Sequence, residues 1–275
     1  MQKTILITGS TDGIGLETAK MLLSQGHNIL IHGRTPAKVH STLQLLSEQI
    51  ETDNLSNNIQ GYIADLSDME QLEKLAEEIK TNHHKLDVLI NNAGVFRTPD
   101  PITTSGLDVR FAVNTVAPYL LTLQLLPLLG TEGRIINLSS AAQAPVDLEA
   151  LTGKIYLENE FQAYAQSKLA ITMWSRELGL ALTDGPVVIA VNPGSMLGSK
   201  MVQEGFGVAG GDLSIGAKIL SQLALEDEFK NASGKYFDND SGKFTEPHKD
   251  ALNREKSEAV IKAVEGILCL SFIAK

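Results

Sequence analysis

The chain has 275 residues, of which 43% are hydrophobic and 20% charged, with a formal net charge of −10 and one cysteine, Cys269. Acidic balance without a basic patch repels nucleic acid and anionic membrane, and one cysteine forms neither an intramolecular disulfide nor a thiolate metal site. The composition supplies a sizeable core and excludes a disordered chain.

The apolar run Thr4 to Thr8 predicts a first strand. The turn Gly9-Ser10-Thr11-Asp12-Gly13-Ile14-Gly15 follows, and after it the apolar spacing from Leu16 to Leu23 is helical. Glycines between a strand and a helix suit a tight turn with positive φ, close backbone approach to a pyrophosphate and a helix N-terminus facing the anion. All seven residues are therefore assigned to cofactor binding. A second strand, Asn28 to His32, ends at Gly33-Arg34. This is where a carboxylate would hold the ribose 2′-OH of NAD; Arg34, with Lys38 a turn later, suits the 2′-phosphate of NADP instead.

Asp53 to Asn58 reads as a solvated connector before a third strand, Ile59 to Ala64. Ser67-Asp68-Met69-Glu70 has capping-box spacing and opens a helix towards His83, where His83-His84 reads as solvated surface and no metal site is expected. A fourth strand is predicted at Val88 to Asn91 and a long helix at Leu107 to Leu129. A fifth strand, Arg134 to Leu138, precedes a helix from Glu160 to Leu182, and a sixth strand follows at Val187 to Val191. The seventh is Lys235 to Phe237. Alternating strands and helices predict one doubly wound α/β domain over residues 1–275, a seven-stranded, mainly parallel sheet with helices on both faces.

Ligands bind such sheets at the strands' C-terminal ends, so the segments near 95–103, 141–161 and 195–212 are the candidate substrate loops. Within them Phe96, Pro99, Tyr156, Phe161, Met201 and Phe206 could form an apolar wall. No signal pattern and no apolar run approaching the ~20 residues of a bilayer span is read, and the first strand begins almost at Met1. A cytoplasmic protein without a membrane partner is expected.

Tyr164 and Lys168 lie one helical turn apart. A tyrosine with a pKa of about 10 is a poor acid or base at neutral pH, and a neighbouring ammonium favours its phenolate. The pair suits a proton relay beside a hydride-carrying cofactor.

Together these segments resemble the short-chain dehydrogenase/reductase family over nearly the whole chain. Asp65-Leu66 matches its adenine-side motif, Asn91-Asn92-Ala93-Gly94 its motif after the fourth strand, Asn114 its helical asparagine, and Asn192-Pro193-Gly194 its motif after the sixth strand. The resemblance implies a Rossmann fold. It also implies cofactor contacts from Asp65, Leu66, Asn92, Ala93, Gly94, Pro193 and Gly194. Ser140 would polarise a substrate carbonyl, Tyr164 would transfer the proton, and Lys168 would lower the Tyr164 pKa and bind the nicotinamide ribose. Asn114 would hold a water linking Lys168 to solvent.

Gly153-Lys154-Ile155 and the run Ala163 to Ala170 resemble the retinol-dehydrogenase-like branch, which commonly uses NADP. The implied reaction joins NADPH or NADP to the carbonyl or alcohol of a small to medium, fairly apolar substrate, with NAD less suited. One departure stands out: Gly198 occupies the slot where the family commonly has a nicotinamide-contacting threonine, leaving Ser199 as a substitute. Family likeness also implies a homodimer or homotetramer through the two long helices. Two alternatives stay open: a non-catalytic NADP-binding regulator, and a nucleotide-sugar epimerase or dehydratase, against which the short chain after Val191 and the glycine spacing argue.

Overall fold

In the computed structural model, which describes residues 1–48 and 58–273, the order is β1 (Thr4–Ile7), α1 (Gly13–Ser24), β2 (Asn28–Gly33), α2 (Pro36–Glu48), β3 (Ile59–Ile63), α3 (Met69–Asn82) and β4 (Val88–Asn91). Next come α4 (Val109–Phe111), a π-helical turn (Ala112–Val116), α5 (Ala117–Leu129), β5 (Arg134–Leu138), α6 (Leu148–Leu151) and α7 (Glu160–Ala181). The chain continues through β6 (Val187–Asn192), α8 (Lys200–Phe206), α9 (Leu213–Leu225), β7 (Lys235–Asp238), β8 (Lys243–Thr245) and α10 (Arg254–Ile273). Of the expected connector Asp53 to Asn58, all but Asn58 lies outside the described residues.

One sheet runs β3-β2-β1-β4-β5-β6-β7-β8, and its first seven strands are parallel. Strand order reverses between β1 and β4, which opens a crevice there at the C-terminal edge. Successive strand residues face opposite ways. Ile5, Ile7, Ile29, Ile31 and Ile90 therefore pack under α1, α2 and α9, while Leu6, Leu30, Leu89 and Ile135 pack under α3, α5 and α7. Burial on both faces explains the unbroken apolar runs of these strands.

Three expectations need correction. The sheet has eight strands, because Lys243–Thr245 pairs antiparallel to β7. With one apolar residue in three it carries too little pattern to read; Phe244 holds it in place, 5.1 Å from the Phe237 ring and 6.0 Å from Phe229. The cap of α3 is Asp68, whose carboxylate accepts from Glu70 N and Gln71 N, while Ser67 turns back to Asp65. Residues Val109–Leu129 are long and apolar enough to cross a bilayer by length and composition, but most of that stretch is buried inside the fold.

The second of the long helices expected to mediate self-association packs inside the fold along its middle. Residues 165–175 of α7 are buried on every side. Helix α10 supplies the cover: Val260 and Val264 join the same core as Ile171 and Trp174, and the Tyr119 hydroxyl donates to Glu265 Oε1 at 2.9 Å. Along these three turns α7 packs against the chain's own core.

Candidate active site

A cleft of about 420 Å³ follows the switch point. Its floor at one end is the first turn, and three glycines explain the local path. Gly9 and Gly13 have φ of 65° and 57°, and a Cβ on Gly9 would stand 2.8 Å from Ala93 Cα. A Cβ on Gly15 would stand 2.4 Å from Asn92 Nδ2 and 2.6 Å from Gly9 O, so α1 packs against the strand ends only without a side chain. Gly9, Thr11, Asp12, Gly13 and Ile14 line the cleft. Ser10 and Gly15 are buried behind it; Ser10 Oγ donates to Ile7 O, and Asp12 caps α1.

Thr8 and Asn92 join this turn to the end of β4. Thr8 Oγ1 accepts from Asn92 N and Ala93 N, both at 3.0 Å, and Asn92 Nδ2 donates to Thr8 O and Gly9 O at 2.8 and 3.1 Å. Asn92, Ala93 and Gly94 line the middle of the cleft, and Pro193 lines it from β6 with Gly194 behind, at φ 127°. At the far end stand Arg34, Lys38, Asp65 and Leu66. Arg34 and Lys38 are exposed, and among the described residues neither forms an ion pair. Two unpaired cations beside a glycine cradle fit a phosphorylated dinucleotide.

Tyr164 and Lys168 project from α7 into the other end. Ser140 neighbours the Tyr164 phenol; burial pushes that phenol above its ordinary range and the Ser140 hydroxyl acts against the rise. Burial also pulls Lys168 down to about 8. Its Nζ donates to Leu138 O at 2.8 Å and lies 5.7 Å from the centre of the Tyr164 ring.

Ser139 and Ser140 have separate surroundings. Ser139 Oγ is buried against Lys168 O and Thr172 Oγ1, while Ser140 Oγ accepts from Ala142 N and faces Tyr164. Two residues without a sequence signal brace Ser140: Tyr236 Oη and Gln143 Nε2 each donate to its carbonyl at 3.0 Å. His248 N donates to Gln143 Oε1 in turn.

Asn114 does not line the cleft. In the π-helical turn its Oδ1 accepts from Val95 N at 2.8 Å, and its Nδ2 donates to Val95 O and Ser167 Oγ, both at 2.9 Å. The amide is thus fully occupied, which leaves the backbone carbonyl for the expected water. Pro118, four residues on, has no N–H to give that carbonyl.

The expected apolar wall assembles in part. Phe96 is buried 5.1 Å from the Tyr164 ring and 6.2 Å from Phe161, and Met201 lines the cleft. Phe161 and Tyr156 are about half exposed, Pro99 is exposed, and the Phe206 side chain lies outside the described ones. Gly198 cannot be the missing threonine: a Cβ there would meet Gly211 O at 2.8 Å and Ala209 O at 2.9 Å. Its N–H donates to Gly211 O, and Gly211 N donates to Met196 O, which clasps the loop shut. Ser199 caps α8 through Val202 N and lies near Gly13. His83, expected as solvated surface, hydrogen-bonds the Tyr62 hydroxyl at 2.7 Å. Among the described residues no His, Cys, Asp or Glu cluster could hold a metal.

The short chain dehydrogenase family matches residues 3–206. This chain belongs to that family of oxidoreductases, in its retinol-dehydrogenase-like branch. Human retinol dehydrogenase 13 is 32% identical over 255 residues, covering 86% of this chain and 76% of that protein. A Brassica napus short-chain dehydrogenase, TIC 32 A, chloroplastic, is 30% identical over 257 residues, covering 85% and 79%. Among solved structures, a short chain dehydrogenase from Escherichia coli CFT073 complexed with NADPH is similar with a TM-score of 0.69 at 25% identity, over 86% of this chain and 96% of that one.

Proposed function

We propose that the chain is an NADP-dependent oxidoreductase of the carbonyl or alcohol group of a small to medium, fairly apolar substrate. The observation that carries this reading is Tyr164 with Lys168 on the wall of one cleft, Ser140 beside the phenol, and Arg34 and Lys38 at the cleft's other end. The dinucleotide would lie on Gly9, Thr11, Asp12, Gly13 and Ile14, with Ser10 and Gly15 shaping the turn from behind. Asp65 and Leu66 take its adenine side, Arg34 and Lys38 its 2′-phosphate, and Asn92, Ala93, Gly94, Pro193 and Gly194 the remainder. When bound, it supplies the hydride to a carbonyl carbon or accepts it from an alcohol.

In reduction Tyr164 Oη gives its proton to the carbonyl oxygen, and the Ser140 hydroxyl stabilises the charge developing there. Burial makes the resulting phenolate costly, so a charge must oppose it. Lys168, at about 8, is protonated at pH 7 and meets that need. A water on the Asn114 carbonyl returns the proton from solvent. Oxidation reverses each step.

We read the 275 residues as one domain that works in the cytoplasm as a homodimer or homotetramer. Support comes from the single sheet, from family likeness, from net charge and from cysteine content. The test is turnover of NADPH and NADH with a panel of apolar aldehydes and ketones. NADPH should be used in preference; equal use of NADH contradicts the role of Arg34, and saturable binding without turnover favours a regulator.

A further inference from the structure

One buried ionisable side chain in the cleft has no part in the proton chemistry. His32, the fifth residue of β2, is 2% exposed and lines the cleft beneath the first turn. Its ring Nδ1 lies 3.2 Å from Gly9 N and its Nε2 lies 3.1 Å from Ala64 O. An amide N–H only donates and a carbonyl only accepts, so the ring is neutral and carries its proton on Nε2. Burial agrees, pulling the pKa to about 4 against the Ala64 carbonyl and the Asp65 charge.

The main chain of His32 grips the same turn. Its N–H donates to Ser10 Oγ at 2.9 Å, and Ser10 N donates to His32 O at 3.0 Å. The three residues before it, Ile29, Leu30 and Ile31, are buried and apolar, so packing alone would be served by another aliphatic side chain. A polar ring belongs in such a place only when both nitrogens are bonded. What those bonds fix is the Gly9 peptide, whose residue has φ of 65°, and the Ala64–Asp65 end of β3. One ring spans from the phosphate turn to the adenine-side wall.

We propose that His32 is a cofactor-positioning residue, which through its neutral ring holds the Gly9 amide and the β3 end at the spacing that a dinucleotide requires. This rests on the reading that the cleft binds NADP.

The two bonds separate by substitution in the full-length chain. His32→Asn keeps an acceptor where Nδ1 stands, whereas His32→Gln keeps a donor where Nε2 stands and removes the acceptor of the Gly9 N–H. With the net loss of a hydrogen bond worth about 0.5–1.5 kcal/mol, NADPH should bind roughly 2- to 12-fold more weakly to His32→Gln. His32→Asn should stay much nearer the parent, and the carbonyl KM at saturating NADPH should not move in either. A merely structural histidine would lower Tm in both variants and leave NADPH affinity unchanged; equal affinity of His32→Gln and parent overturns the proposal. Should His32→Gln not fold, nitrogen NMR of the parent ring decides: a proton on Nε2 at pH 7 supports the role, and one on Nδ1 overturns it. A parent chain that fails to bind NADPH brings down the cofactor reading itself, whereas tight parent binding with an indifferent His32→Gln brings down only this inference.

Discussion

At the β1-β2-β3 end of the cleft each wall is a strand terminus or a tight turn, tied by buried polar bonds through Thr8, Ser10, His32 and Asn92. The opposite end is closed by the 195–212 loop, where Met196 at φ 55° sits in a strained region for a side-chain residue and is itself exposed. That loop is held by a backbone clasp at Gly198 and Gly211, and by Asp240, which accepts from Ser195 N at 2.7 Å. The cofactor end is a built receptor. The substrate end is a cover, and its half-exposed aromatics name a class of ligand without naming one molecule.

The largest effect expected is at the junction of the two ends. Tyr164→Phe removes the proton donor and should lower kcat roughly 100- to 10,000-fold while NADPH affinity holds, measured by steady-state turnover and by titration. Retention of parental kcat would move the chemistry elsewhere.

Protonation of His32 loads the receptor end alone. The ring's pKa is lowered from 6.5 to about 4 on folding, so the unfolded chain takes up a proton first as pH falls. Its contribution, roughly 3 kcal/mol, is present above pH 6.5 and is lost between 6.5 and 4. Denaturant unfolding across that range should show a steeper loss in the parent than in His32→Asn. Arg34→Ala should weaken NADPH roughly 10- to 100-fold, the value of a charge-assisted hydrogen bond, and leave NADH nearly unchanged. Competitive binding of the two cofactors reads that ratio.

Gly198→Ala loads the cover. The added methyl meets two carbonyl oxygens, and crowding of this kind destabilises by about 1–3 kcal/mol. Loosening of the loop should raise the carbonyl KM more than the NADPH Kd, and a Kd that rose in step would place the loop in the receptor instead.

What could be read from the chain follows the same division. The first turn was legible because each glycine answers a local steric demand, and Tyr164 with Lys168 because helix spacing is local too. His32 was not legible, since its partners lie 23 and 32 residues away. Tyr236 and Gln143 escaped notice for the same reason: they converge on Ser140 only when β7 and the 141–161 segment are folded. Pro118 carried a signal that was missed, the lost donor for Asn114, and it falls beside the π-helical turn. The eighth strand rests on Phe244 alone. The cover of α7 by α10 is a tertiary choice that amphipathic spacing does not specify.

The most direct test is isotopic. NADPH carrying deuterium at its transferable position, incubated with the full chain and a panel of apolar aldehydes, should leave deuterium on the carbinol carbon of an alcohol product, and Tyr164→Phe should slow its appearance roughly 100- to 10,000-fold. Saturated NADPH binding with no deuterium in any product would contradict hydride transfer at this cleft.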